Sequence, residues 1–147
     1  MAAAKIALGM QEELSLGNMD SQRDWGYAPE FTEGMWRILQ NDTPDDFVLA
    51  TGEMHTVRNF TRWSFKHVGI DLEFKGVGVD EVGIDVKTGK TVVRVNPAYF
   101  RPTEVEELLG DATKAKDKLG WVAETKAEKL CEIMAKADFE KVSKRGY

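Results

Sequence analysis

Cysteine and histidine are scarce in this chain of 147 residues: Cys131 is the single cysteine, and His55 and His67 are the two histidines. One thiol excludes an intramolecular disulfide and a thiolate zinc cluster, and it fits a reducing compartment. The histidines fall in different segments with no carboxylate cluster beside them, so no metal site is expected. Acidic residues outnumber basic ones, giving a net charge of −5. That excludes a general nucleic-acid binder, which needs cationic surface to displace counterions. No apolar run reaches the length of a membrane span, and the apolar stretch at the start is too short for a secretion signal. A cytoplasmic protein is expected. Phosphate loops are missing as well. No Gly-x-Gly-x-x-Gly, Gly-x-x-x-x-Gly-Lys-Ser/Thr or Tyr-x-x-x-Lys occurs, and Gly76-Val77-Gly78 lacks the third glycine and a following helix. Nothing in the chain can transfer a hydride unaided.

What is present reads as one α/β unit. Hydrophobic residues make up 42% and charged residues 31%, the balance of a globular domain spanning residues 1–147. Residues 2–8 read as the end of a helix stopped by Gly9. Residues 14–16 read as a short strand, and 18–26 as a polar loop. Residues 28–40 carry Pro29 in a first turn and Phe31, Met35, Ile38 and Leu39 on one face, which predicts a helix. The uninterrupted apolar run at 47–51 predicts a buried parallel strand. Thr56 then caps a helix reaching about Val68, with Val57, Phe60, Ser64, Phe65 and Val68 inward and Gly69 as its stop. Residues 70–74 alternate as a half-exposed strand, 87–90 look like a hairpin tip, and 92–95 follow as a strand. A short helix is expected at 113–118 and a longer one from Lys126 to about Val142. In the longer helix Ala127, Leu130, Cys131, Met134 and Ala137 are read as inward, and 143–147 as a frayed tail.

Two segments carry chemistry. In Tyr99-Phe100-Arg101-Pro102-Thr103-Glu104-Val105, Pro102 ends the strand-like stretch and presents Arg101 at a strand end, where α/β ligands sit. A guanidinium there can fork two N–H donors onto phosphate oxygens, and Glu104 can accept from vicinal hydroxyls. The plain alternative is a surface ion pair worth about 0.5 kcal/mol. In Arg23-Asp24-Trp25-Gly26-Tyr27, Arg23 points at an anionic ligand with Trp25 bracing it, or else the loop holds an internal Arg–Asp contact with Trp25 folded onto the core. Thr51-Gly52-Glu53 joins the expected strand to a helix and is equally a ligand loop or a plain connection.

These segments resemble the GDP-mannose 4,6-dehydratase family of extended short-chain dehydrogenases/reductases. The resemblance rests on residues 16–28, 46–52, 56–60, 99–105 and 110–116, with Gly17-Asn18-Met19-Asp20 through Gly26 and Tyr99 through Val105 the most specific. It implies the C-terminal, substrate-binding portion of that fold, lacking most of the N-terminal Rossmann domain. The family enzyme converts GDP-mannose to GDP-4-keto-6-deoxymannose with NADP, which takes the hydride and returns it. Its cofactor loop and acid/base residues belong to the absent half, so no catalytic residue and no NADP binding are expected of this chain alone. The resemblance further implies Arg23 at the nucleotide end of the substrate, Arg101 on the diphosphate and Glu104 near the ribose. Family members are homo-oligomers; the chain is expected to be a C-terminal fragment from a truncated or split gene, with another chain able to supply the missing half. Tyr27, where the family has histidine, and Val122-Ala123, where it has proline, are departures that touch none of these contacts. A non-catalytic nucleotide-sugar-binding module, or a fragment of another nucleotide-sugar dehydratase or epimerase, stands as the alternative.

Overall fold

The computed structural model describes residues 1–101, 103 and 109–145. The elements run α1 (Ala2–Ala7), β1 (Leu14–Leu16), β2 (Gln22–Arg23), α2 (Ala28–Leu39), β3 (His55–Thr56), α3 (Val57–Lys66), β4 (Leu72–Lys75), β5 (Val82–Asp85), β6 (Thr91–Val95), α4 (Thr113–Leu119) and α5 (Ala127–Arg145). Strands β1-β6-β5-β4 form a four-stranded sheet in that order. β1 runs parallel to β6, with Leu16 opposite Val95, while β6-β5 and β5-β4 are antiparallel. Helix α5 lies across α1 and α3.

Local chemistry explains the boundaries. The Thr56 hydroxyl accepts from the Asn59 N–H at 3.1 Å, capping α3. Past the end of α3, Gly69 adopts φ +84° and the Ile70 N–H returns to the Phe65 carbonyl at 3.0 Å. Only glycine takes that turn without strain. The β5–β6 tip is tied by Asp85, whose carboxylate accepts from the Thr88 hydroxyl at 2.7 Å and the Lys87 N–H at 2.9 Å. Two apolar clusters result. Phe65 and Val93 anchor the one beneath the sheet, with Met19, Leu72, Val92 and Val95. Trp121 and Ala115 anchor the other, with Phe31, Phe47 and Leu49 against them. Full burial of one such phenylalanine is worth about 1.5–3 kcal/mol.

Several expectations need correction. Residues 47–51 are not a strand, and they are only partly buried: Ala50 is buried, Phe47 and Leu49 half-buried, and Val48 is 52% exposed. The segment has a strand's alternation, but no described strand lies beside it to form a ladder. In α5, Met134 and Ala137 face solvent, and Ala135 and Val142 are buried instead. The helix also continues to Arg145 through residues read as frayed. The polar loop at 18–26 contains β2, which pairs with β3 in a two-residue ladder.

Candidate functional site

The parallel pair β1 and β6 ends on one edge of the sheet. The Asn96 N–H donates to the Leu16 carbonyl at 2.8 Å, so the two chains leave that edge side by side. After β6, Asn96 nucleates a turn: its side chain accepts from the Ala98 N–H at 2.9 Å, and its carbonyl accepts from the Tyr99 N–H at 2.9 Å. The turn delivers Arg101 back over the end of β1. There the Asn18 side chain accepts from the Arg101 N–H at 2.7 Å and donates to the Arg101 carbonyl at 2.7 Å. The outer edge of a parallel pair, at the carboxyl ends of its strands, is where α/β folds gather ligands. Arg101 is exposed there, and its guanidinium makes no hydrogen bond or ion pair among the described residues.

Arg23 sits on β2, opposite His55 of β3, and is also exposed. Its Nη1 donates to the Gln22 carbonyl at 2.7 Å. The segment between β1 and β2 is fastened from below, since the Met19 and Ser21 carbonyls accept from the Arg58 and Val57 N–H groups at 2.9 and 3.0 Å. Asp24 ties the chain after β2 to the loop before β3 by accepting from the Thr51 and Gly52 N–H groups at 2.9 and 3.2 Å. Trp25 packs on Phe60 of α3, with ring centroids 4.5 Å apart and the planes tilted by 32°. Beside Asp24, Phe31, Leu49 and Ala50 a cavity of about 270 Å³ opens. A second, of about 400 Å³, lies beyond Thr51 and Gly52 toward Asp111 and Trp121. Neither Arg23 nor Arg101 lines these two cavities.

Thus the fold joins the backbone of Arg101 to the same β1 exit that leads to Arg23. Glu104 lies outside the described residues. Thr51-Gly52-Glu53 is held from several sides. Lys126 Nζ lies 3.0 Å from the Glu53 carboxylate and keeps it below the usual carboxylate range. Lys126 also donates to the Thr51 carbonyl at 3.2 Å, and His55 Nε2 stands 3.7 Å from Glu53.

Two residues escaped the sequence reading. Asn18 was visible only as part of a motif, and its bonding to a residue 83 positions away has no local signal. Arg58 spans β1's exit and β5's start, donating to Glu81 at 2.5 and 2.8 Å and to Asp20 at 2.6 Å. Those two carboxylates, Glu81 foremost, push the Arg58 guanidinium pKa above its ordinary value.

Comparison with known proteins bears on this geometry. A family model described as GDP-mannose 4,6 dehydratase matches residues 1–134. A GDP-mannose 4,6-dehydratase of Sinorhizobium fredii is 56% identical over 134 residues, covering 90% of this chain and 38% of that protein. The Homo sapiens GDP-mannose 4,6 dehydratase is 50% identical over 139 residues, covering 95% and 37%. The chain therefore spans well under half the length of the curated relatives it matches. Among solved structures, RMD from Pseudomonas aeruginosa complexed with NADPH superposes with a TM-score of 0.72 at 15% identity, over 96% of this chain and 42% of that one. UDP-glucose 4-epimerase from Bifidobacterium longum, in complex with NAD+ and UDP, gives 0.65 at 18% identity, over 99% and 39%. At such identities these two likenesses speak for the fold.

Proposed function

This chain belongs to the GDP-mannose 4,6 dehydratase family, and from that premise we propose that residues 1–147 act as one nucleotide-sugar-binding domain, the C-terminal portion of a lyase acting on GDP-mannose. The fold is part of the extended short-chain dehydrogenase/reductase architecture. The observation that carries the reading is Arg101: an exposed guanidinium, unpaired among the described residues, whose backbone is fastened at the carboxyl ends of two parallel strands. Such a group binds phosphate oxygens in a forked geometry. We assign Arg101 to the diphosphate, Arg23 to the nucleotide end and Glu104 to the ribose hydroxyls.

The residues present do not fit a dinucleotide. Gly76-Val77-Gly78 leads into a single 3-10 turn, Gly78–Asp80, instead of a helix N-terminus that would receive a pyrophosphate. NADP is thus assigned to the portion the relatives have beyond this chain, and no hydride step is assigned to the residues here. The face for that portion is the unladdered segment 47–50 with α2 beside it. Val48 on that segment, and Met35, Trp36 and Leu39 on α2, expose 52, 58, 59 and 81% of their surface, large apolar side chains of the kind that mark an interaction face. Whether that portion comes in the same polypeptide or on a second chain, the intact cytoplasmic enzyme would yield the GDP-4-keto-6-deoxy sugar.

Titration of the purified chain with GDP in a calorimeter tests the assignment. GDP should bind, and Arg101→Ala should weaken it about ten- to hundredfold, the equivalent of a charged hydrogen bond worth about 1.5–3 kcal/mol. Arg23→Ala should weaken it too. Unchanged affinity in the Arg101 variant refutes the site. A 4-keto product from this chain with GDP-mannose and NADP alone would refute the division of labour.

A further inference from the structure

The Asn18 side chain does more for Arg101 than close a loop. Its Oδ1 accepts from the Arg101 N–H and its Nδ2 donates to the Arg101 carbonyl, both at 2.7 Å. One side-chain amide thereby satisfies both main-chain groups of a single residue, as a neighbouring strand would. Two bonds to one residue fix where its Cα–Cβ vector points, and so restrict the region the guanidinium can reach through its four side-chain torsions. The preceding Phe100 packs against the core cluster and its N–H returns to the Asn96 carbonyl at 3.2 Å, so the chain is held up to Arg101, where the Asn18 amide takes over. Arg101 follows the Asn96 turn, is exposed, and makes no other hydrogen bond among the described residues. Asn18 itself is fixed from the other side, because its neighbour Met19 is 3% exposed and the Met19 carbonyl accepts from the Arg58 N–H at 2.9 Å.

We propose that Asn18 is a positioning residue for the anionic end of a nucleoside diphosphate: its carboxamide sets the approach of Arg101 without touching the ligand. The inference rests on the assignment of Arg101 to the diphosphate. Without the amide, Arg101 must find its place at the moment of binding, and the ordering then costs affinity. Asparagine fits the task because it alone among short side chains offers an acceptor and a donor in one plane.

The test is a double-substitution cycle read by GDP titration of the whole chain. Asn18→Ala should weaken GDP about five- to tenfold, a fraction of what Arg101→Ala costs. In the Arg101→Ala background, Asn18→Ala should change affinity less than about twofold, because nothing remains to be aimed. A purely structural asparagine would give the same loss in both backgrounds, and that result overturns the inference. Asn18→Leu, close in shape and unable to bridge, guards against a collapsed loop. It should match Asn18→Ala in affinity while keeping the parent's circular dichroism and melting temperature, and parent-like affinity in this variant also overturns the inference. If Arg101→Ala alone leaves GDP binding intact, the diphosphate assignment falls and this inference with it. If Arg101→Ala weakens binding and Asn18→Ala does not, only this inference falls.

Discussion

Gly17 lies against the carbonyl of Tyr99: a β-carbon built on Gly17 would stand 2.6 Å from that oxygen. The contact is backbone on both sides, so no flexible side chain can yield. It is also where the two strand exits meet, one residue before Asn18. Gly17→Ala should therefore push the Tyr99–Arg101 turn outward and destabilise the chain by about 1–3 kcal/mol, the usual penalty of overpacking. Urea unfolding measures this, and a midpoint equal to the parent's would show that the turn relaxes freely.

Arg58 and Glu81 form an ion pair whose acid is 3% exposed and whose base is 24% exposed. Removing one partner strands the other charge out of water. Arg58→Met should cost about 3–5 kcal/mol. Adding Glu81→Leu should recover most of that loss, since the stranded carboxylate is gone. If the double variant is no more stable than Arg58→Met, desolvation is not the dominant cost. The Asp20 contact, with Asp20 77% exposed, should matter far less: Asp20→Asn is expected to cost under about 1 kcal/mol.

Acid should weaken the fold through carboxylates held low. The Thr88 hydroxyl, aided by the Lys87 and Thr88 N–H groups, keeps Asp85 below its ordinary value. Lys136 and Lys129 bring Glu132 down to about 2. A folded-state pKa below the unfolded one means that the unfolded chain binds more protons as the medium acidifies. The stabilisation is complete above about pH 4.5, where the unfolded carboxylates are ionised, and is lost as pH falls toward about 2. Urea midpoints should be flat from about pH 7 to 5 and then drop. Asp85→Asn should lower the neutral midpoint and make the acid drop shallower; an equally steep drop would remove Asp85 from the account.

Cys131 is 1% exposed, and burial raises its thiol pKa to about 11. At neutral pH the nucleophilic thiolate is then scarce and also inaccessible. The folded chain should react with a thiol reagent far more slowly than the chain in urea, with the native rate following global opening. Rapid stoichiometric labelling of the native chain would contradict the burial of α5 against α3, where Cys131 Sγ lies 3.6 Å from the Ser64 hydroxyl oxygen.

Long periodic segments were legible in advance, and their packing only in part. The 3.6-residue pattern gives α2 and α3 nearly to the residue, and Leu130 and Cys131 are inward in α5 as read. The error begins at Met134. Steps of three residues fall about 60° short of a full turn, so Met134 and Ala137 rotate off the contact line that Cys131 and Ala135 keep. Which line is buried depends on how α5 lies across α1 and α3, and no property of α5 alone records that. The apolar run at 47–51 misled for a related reason. Its composition is that of an inner strand, but a strand exists only with a neighbour to bond, and no described strand stands beside it. For the site, residue types named Arg23, Arg101 and Glu104 as an anion- and sugar-reading set. The anchor of Arg101, an amide far along the chain, was beyond their reach.

By itself the sequence determined the α/β class, the family and the lack of a Gly-x-Gly-x-x-Gly loop, because these follow from residue identity and short-range period. The tertiary structure decided that Asn18 grips Arg101, that Arg58 neutralises Glu81 within the fold, and that residues 47–50 lie without a ladder among the described strands. Each depends on groups remote in the chain meeting at hydrogen-bond distance, and the energy of such a meeting is set by distance and burial, which no local pattern encodes.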